Sequence, residues 1–207
     1  MAPSGIHKAL RKRIIMIINK KALDFKSQMK NLSSVYSMVL CAFFIALYIV
    51  LYYCNIKITP SIEFRPGYLA IAAAAMYGVP LMGMVVGCMG DIISMLVTGG
   101  QGSSFFFGFT FSYALMGLLF GLFLFGGTIT VVRAFAAAMV EFLISLFLNS
   151  YWLALMYYGA DKYIPTLISR IPKCAIMLVI STVVLTVVMK ALHSAFRRAR
   201  LMPEYMN

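Results

Sequence analysis

The sequence predicts an all-α integral membrane protein, and three observations carry that prediction. The chain is 62% hydrophobic and only 12% charged. Its mean hydropathy is +0.91, and a soluble chain of 207 residues cannot bury that much apolar surface. Several nearly charge-free windows run about 18–25 residues, the length a helix needs to cross the hydrocarbon core. Only helices or closed barrels satisfy their backbone there. Barrel strands alternate over about ten residues, and these continuous apolar runs do not.

Six spans are expected, at about 34–54, 66–79, 81–98, 108–126, 131–158 and 165–192. The second is short and built mostly from alanine, in YLAIAAAAMYG. Gly78 and Pro80 follow it, so the connection to the third span is a tight turn. The fifth is long enough to tilt or to extend into the interface.

The chain divides into a basic extension (1–33), a membrane domain (34–192) and a basic tail (193–207). The extension contains IHKALRKRIIMIINKKAL, expected as an amphipathic helix on the surface of the cytoplasmic leaflet, in contact with lipid. With six spans both termini share one side. That side collects the N-terminal lysines and arginines, Arg133, and the tail set Lys190, Arg197, Arg198 and Arg200. The opposite side receives only Lys57, Arg65, Lys162, Arg170 and Lys173. The positive-inside rule makes the richer side cytoplasmic. The net charge of +12 therefore reports membrane orientation, not nucleic-acid binding.

Several function classes lack their residues. No Walker A, HExxH or GxSxG pattern occurs, and no nucleophile stands beside a base, so no enzyme is expected. Cys41, Cys54, Cys88 and Cys174 are scattered through apolar runs without a CxxC pair, and His7 and His193 lie near the ends. These are not the spacings of a metal site, and no cofactor is expected. No inverted repeat relates the two halves, which argues against many secondary transporters.

The remaining charges point to a ligand. Arg170 and Lys173 are three residues apart at the start of the sixth span, on one helix face. Arg65 stands at the start of the second. Charges at the membrane edge are costly, and cations converging on an outward cavity suit a carboxylate. Asp91, in GCMGDIIS, either accepts from a ligand's N–H groups or pairs with Arg65. Glu141, in AAAMVEFLIS, faces a neighbouring helix or a partner subunit. Asn149 and Trp152 share a face in NSYWLAL, where an amide and an indole suit a flat heterocycle. Ala42 and Ala46, four apart in CAFFIAL, let a second helix approach closely.

In order and spacing these elements resemble a family. AxxxA at Ala42 and Ala46, GYLAIAAAAMYGVPLMGMVVGCMGDIIS, GFTFSYALMGLLFGLFL, NSYWLALMY and LISRIPKCAIML are similar to the substrate-binding S-components of energy-coupling factor (ECF) vitamin transporters, most closely the folate group. The resemblance covers roughly residues 34–192. It implies six helices around a vitamin cavity open to the outside, in a bacterial plasma membrane. It also implies partnership with a membrane T-component and two cytosolic ATPases. Ala42 and Ala46 would meet the T-component, and the loop Gly99, Gly100, Gln101, Gly102, Ser103 and Ser104 would gate the cavity. Tyr68 and Phe109, inside the matching blocks, join Arg65, Asp91, Asn149, Trp152, Arg170 and Lys173 as expected substrate-binding residues. One departure concerns the substrate: the folate group commonly carries a basic residue where this chain has Glu63. Pantothenate, a queuosine precursor or a pyrimidine are the other ligands to weigh, and a membrane scaffold is the other class.

Overall fold

In the computed structural model the residues described are 28–29, 32–54, 56–59, 62–98, 105–126 and 130–198. The expected surface helix and the loop Gly99–Ser104 lie outside them. Among the described residues there are seven main α-helices. They are α1 (Val35–Tyr53), α2 (Tyr68–Tyr77), α3 (Pro80–Thr98), α4 (Phe107–Leu124), α5 (Val131–Leu143), α6 (Asn149–Tyr157) and α7 (Tyr163–Arg198). A π-helical segment, Ile144–Leu148, joins α5 to α6.

Among the described residues, five helical stretches are long and apolar enough to cross a membrane: α1, α3, α4, the continuous Val131–Tyr157 and α7. The second expected span is instead a helix of 10 residues. At about 1.5 Å per residue it is roughly half the thickness of the hydrocarbon core. It survives because it is interior. Every residue of α2 is buried, and Ala70 to Ala75 are at most 1% exposed. Alanine side chains let α1, α3 and α4 close around it, so no polar face is needed.

Two features depart from the sequence expectation. The connection from α1 to α2 is not plain loop. Ile56–Thr59 and Ile62–Phe64, β1 and β2, form an antiparallel hairpin pairing Ile56 with Phe64 and Lys57 with Glu63. The all-helical class therefore holds for the membrane-crossing body, with this hairpin added at one end. The fifth span runs continuously from Val131 to Tyr157, close to the expected bounds, but it contains the unexpected π segment. Extra residues in a helix turn of this kind are frequent at functional sites.

The expected tight turn is present: α2 ends at Tyr77 and α3 begins at Pro80. Proline suits the first turn, where its missing N–H has no helical partner to lose. The next free amide, Leu81 N–H, donates to the buried Gln28 side chain at 3.3 Å.

The tightest contact in the bundle is α3 against α4, and glycine makes it. GMVVG places Gly83 and Gly87 four apart on α3, and GLLFG places Gly117 and Gly121 four apart on α4. A Cβ at Gly83 would lie 2.7 Å from both the Gly117 carbonyl oxygen and the Ala75 side chain. A Cβ at Gly117 would strike the Gly83 carbonyl, one at Gly87 the Tyr113 carbonyl, and one at Gly121 the ring of Pro80. Facing small-residue pairs let helices approach backbone to backbone where lipid offers no hydrophobic drive.

At the end opposite the hairpin, Arg133 closes α4. Its Nε donates to Phe123 O at 2.8 Å and an Nη donates to Phe125 O at 3.3 Å. These are carbonyls left over at the helix C-terminus, where a cation also meets the favourable end of the dipole. Thr130 Oγ1 in turn accepts from Arg133 N–H as the cap of α5. Arg133→Met should lower stability by about 1.5–3 kcal/mol, the usual worth of hydrogen bonds to a charged group. A shift in detergent melting temperature checks this, and an unchanged value would count against the cap.

Candidate functional site

Chain direction places the candidate residues at the hairpin end. There α1 ends, α2 begins, α3 passes to α4, and α6 passes to α7. Arg65 lies between the hairpin and α2, Asp91 in the second half of α3, Phe109 in the first turn of α4, Asn149 and Trp152 on α6, and Arg170 and Lys173 near the start of α7.

Three clusters make up this end. The first is acidic. Asp91 is 4% exposed, and its Oδ2 accepts from Thr110 Oγ1 at 2.6 Å. Arg65, exposed at the rim, is within electrostatic reach of Asp91. Of the two roles open to this carboxylate, an intramolecular one is thus visible: it ties α3 to α4 and sits in the field of Arg65. Thr110→Val should cost about 1–3 kcal/mol of stability by leaving that oxygen without its donor. A thermal melt of the variant in detergent, with no drop, would show another donor in Thr110's place.

The second cluster is aromatic. Trp152 is flanked by Phe106 at 5.8 Å and Tyr151 at 5.0 Å between ring centroids, and Phe106 meets Phe109 at 6.0 Å. The indole N–H donates to Ser112 Oγ at 3.1 Å, and that hydroxyl donates to Gly108 O at 3.1 Å. Trp152 therefore offers a ring and not a donor, which narrows the expectation of an indole hydrogen bond to a ligand. Gly108 is required for this arrangement, since a Cβ there would sit 2.5 Å from both the indole and the Phe106 ring.

The third cluster is basic. Arg170 and Lys173 are both half-buried on α7, flanking Pro172 inside the helix. A proline there frees the carbonyl four residues earlier, at Ile168. Arg170 lies beside Cys174 and within electrostatic reach of Tyr113. Tyr113, on α4, also lies within electrostatic reach of Arg65, Asp91, Tyr52 and Glu141.

The structure does not bring every expected residue to an open surface. Tyr68 is 3% exposed and belongs to the packed interior. Asn149 keeps a buried Oδ1 that has no hydrogen-bond partner among the described residues. Sequence reasoning missed Phe106, Thr110, Ser112 and Tyr113. Their signal is in FFFGFTFSYAL, where two hydroxyls interrupt an aromatic run and so need partners inside the membrane. Among the described residues no group of three His, Cys, Asp or Glu side chains is arranged to hold a metal.

No family model matches the chain. A curated relative, the folate transporter FolT of Clostridium novyi (strain NT), is 29% identical over 150 residues, covering 72% of this chain and 84% of the relative. A solved structure, FolT bound with folic acid, superposes with a TM-score of 0.57 at 23% identity, covering 72% of this chain and 90% of that one. The chain resembles an S-component of the folate group. It is a multi-pass protein of the bacterial cell membrane.

In this S-component-like chain one face of α1 is left exposed by the described residues. Ala42 and Ala46 are exposed, and beside them lies a groove of about 300 Å³ lined by Leu32, Met38, Cys41, Ala42, Ile45 and Val85. The α1 residues that pack inward are Leu40, Phe44, Tyr48 and Tyr52, four apart each time. The alanine pair is thus left outside the bundle.

Proposed function

We propose that the chain captures a folate-like anionic vitamin from outside the cell and delivers it through a T-component and two cytosolic ATPases of an ECF-type importer. In this reading α2 counts as a sixth, shortened span, both termini are cytoplasmic, and the hairpin end faces outward. The chain performs no covalent chemistry. It carries no nucleotide-binding motif, so the energy for uphill transport comes from its partners.

The observation that carries the reading is the convergence on Tyr113. Cations distant in sequence, Arg65 and Arg170, both lie within electrostatic reach of one side chain of α4. The neighbouring residue, Ser112, holds the Trp152 ring in place. A stacking surface beside cations suits a flat heterocycle bearing carboxylates, and the relative that matches most of the chain is a folate transporter.

Calorimetric titration of the purified protein in detergent tests this. Folic acid should bind with nanomolar-to-micromolar affinity, and pantothenate should not. Binding of pantothenate, a pyrimidine or a queuosine precursor in its place would keep the transporter class and change the substrate. Binding of none of them would favour a membrane scaffold.

The bare face of α1 supports the partner assignment. Ala42→Trp should leave vitamin binding intact and block uptake in cells expressing the T-component and ATPases, because it adds bulk where helices must meet. Loss of binding in that variant would instead mean that the face packs within the chain.

A further inference from the structure

The interior holds polar atoms that have no hydrogen-bond partner among the described residues. Glu141 Oε2 on α5 and Ser181 Oγ on α7 are buried without a hydrogen-bond partner among the described residues. Ser181 is nevertheless the polar neighbour of both Glu141 and Tyr68. These side chains therefore stand together, but at a geometry that closes no good bond. Glu141 also lies within electrostatic reach of Tyr113, the residue on which the outer cations converge. Asn149 Oδ1 on α6 is another buried acceptor without a donor among the described residues. In hydrocarbon each such atom costs free energy until a donor arrives.

The π segment explains how the two acceptors come to share a side. Glu141 and Asn149 flank Ile144–Leu148 and are 8 residues apart. In an uninterrupted α-helix, 8 residues leave them about 80° out of line. A π turn closes its hydrogen bond one residue later, so each residue in it advances by a smaller angle. The segment removes much of the offset and turns both side chains toward the interior.

We propose that Glu141, supported by Ser181, forms the floor of the vitamin site and accepts the paired N–H donors of an aminopyrimidine ring, with Asn149 accepting above it on the same wall. This rests on the function proposed above and assigns the ring end of the ligand, where Arg170 and Lys173 take its carboxylates. A carboxylate accepts two parallel N–H bonds from a planar amidine edge as it does from a guanidinium. A single water would answer one unsatisfied oxygen. It would not account for a second acceptor held in line by an interrupted helix.

The test compares three probes on the purified full chain: folic acid, pterin, and p-aminobenzoylglutamate, which has the carboxylates and lacks the ring. Glu141→Gln keeps the volume and removes the charge. It should weaken folic acid and pterin by about tenfold or more and leave p-aminobenzoylglutamate within about twofold, since only charge-assisted bonds to the ring are lost. Glu141→Asp, which keeps the charge on a shorter arm, should fold and show the same selectivity. Ser181→Ala should move the ring-bearing probes in the same direction by less. Unchanged folic acid affinity in Glu141→Gln, with or without a lower melting temperature, would overturn the assignment and leave Glu141 a structural role only. An equal loss for all three probes would overturn it as well. If the unmodified protein binds p-aminobenzoylglutamate but not pterin, this assignment fails and the anion-binding reading stands. If it binds none of the three, both fail.

Discussion

Gly117→Val should abolish the native bundle. The glycine faces the backbone of α3, and even a Cβ at this position would overlap the Gly83 carbonyl. A flexible side chain can turn away from a clash, but a backbone carbonyl inside a helix cannot. Either α3 and α4 separate along their length or one of them breaks. Overpacking in a well-filled core typically costs about 1–3 kcal/mol, and a backbone obstacle puts this site at or beyond the upper end. That is a large share of the total stability of a domain. Because α2 is enclosed by the same two helices, separation would also expose the alanine helix. The expected result is loss of the monodisperse peak in detergent and of ligand binding together. Gly159→Ala is the control: Gly159 has φ +88 and open space around its Cβ position, so only a local conformational cost of about 1 kcal/mol is expected. A Gly117→Val protein melting like the unmodified one would show that α3 and α4 do not meet through their glycines.

Arg170→Ala and Lys173→Ala should each weaken an anionic vitamin by about 1.5–3 kcal/mol, or roughly 10–150-fold in Kd. Both side chains are half-buried, so their charges are less screened than those of rim residues. Removing one cation leaves a carboxylate of the ligand poorly neutralised in a low-dielectric setting. If both cations hold the same carboxylate, the double variant should lose less than the sum of the singles. If they hold different ones, the losses should add. A ligand fragment without carboxylates should be indifferent to both changes. Unaltered affinity in both single variants would remove the cation clamp, while leaving the aromatic cluster as a separate question. Lys173→Arg is a useful companion, because a planar fork replaces a point charge and should restore charge without restoring geometry.

The class of this protein was readable from composition, because the amount of apolar surface is a property of the chain and not of its arrangement. The positions of five of the six expected spans followed for the same reason, and the turn at Gly78 and Pro80 was legible because those residues restrict the backbone locally. The cations at Arg65, Arg170 and Lys173 were legible because charge at a membrane edge is costly wherever it occurs. The sequence also contained GMVVG and GLLFG, but the alanine pairs at the same spacing in CAFFIAL and AIAAAAM look equivalent on paper. Only packing separates them: the glycine pairs face one another, Ala70 and Ala74 are enclosed, and Ala42 and Ala46 are exposed.

Tertiary structure decided the rest, since it depends on which atoms lie within a few ångströms across helices far apart in sequence. Asp91 met Thr110, the Trp152 N–H met Ser112, and Tyr68 disappeared into the core. None of these follows from local propensity. The π segment is the clearest case. ISLFL reads as ordinary apolar helix, and its wider turn is seen only in the folded chain, where the segment and the helices on either side of it pack against α7. Sequence by itself determined that this chain lives in a membrane and carries cations near the ends of its helices. The fold determined which side chains those cations share, because a hydrogen bond or an ion's field acts through space and not along the chain.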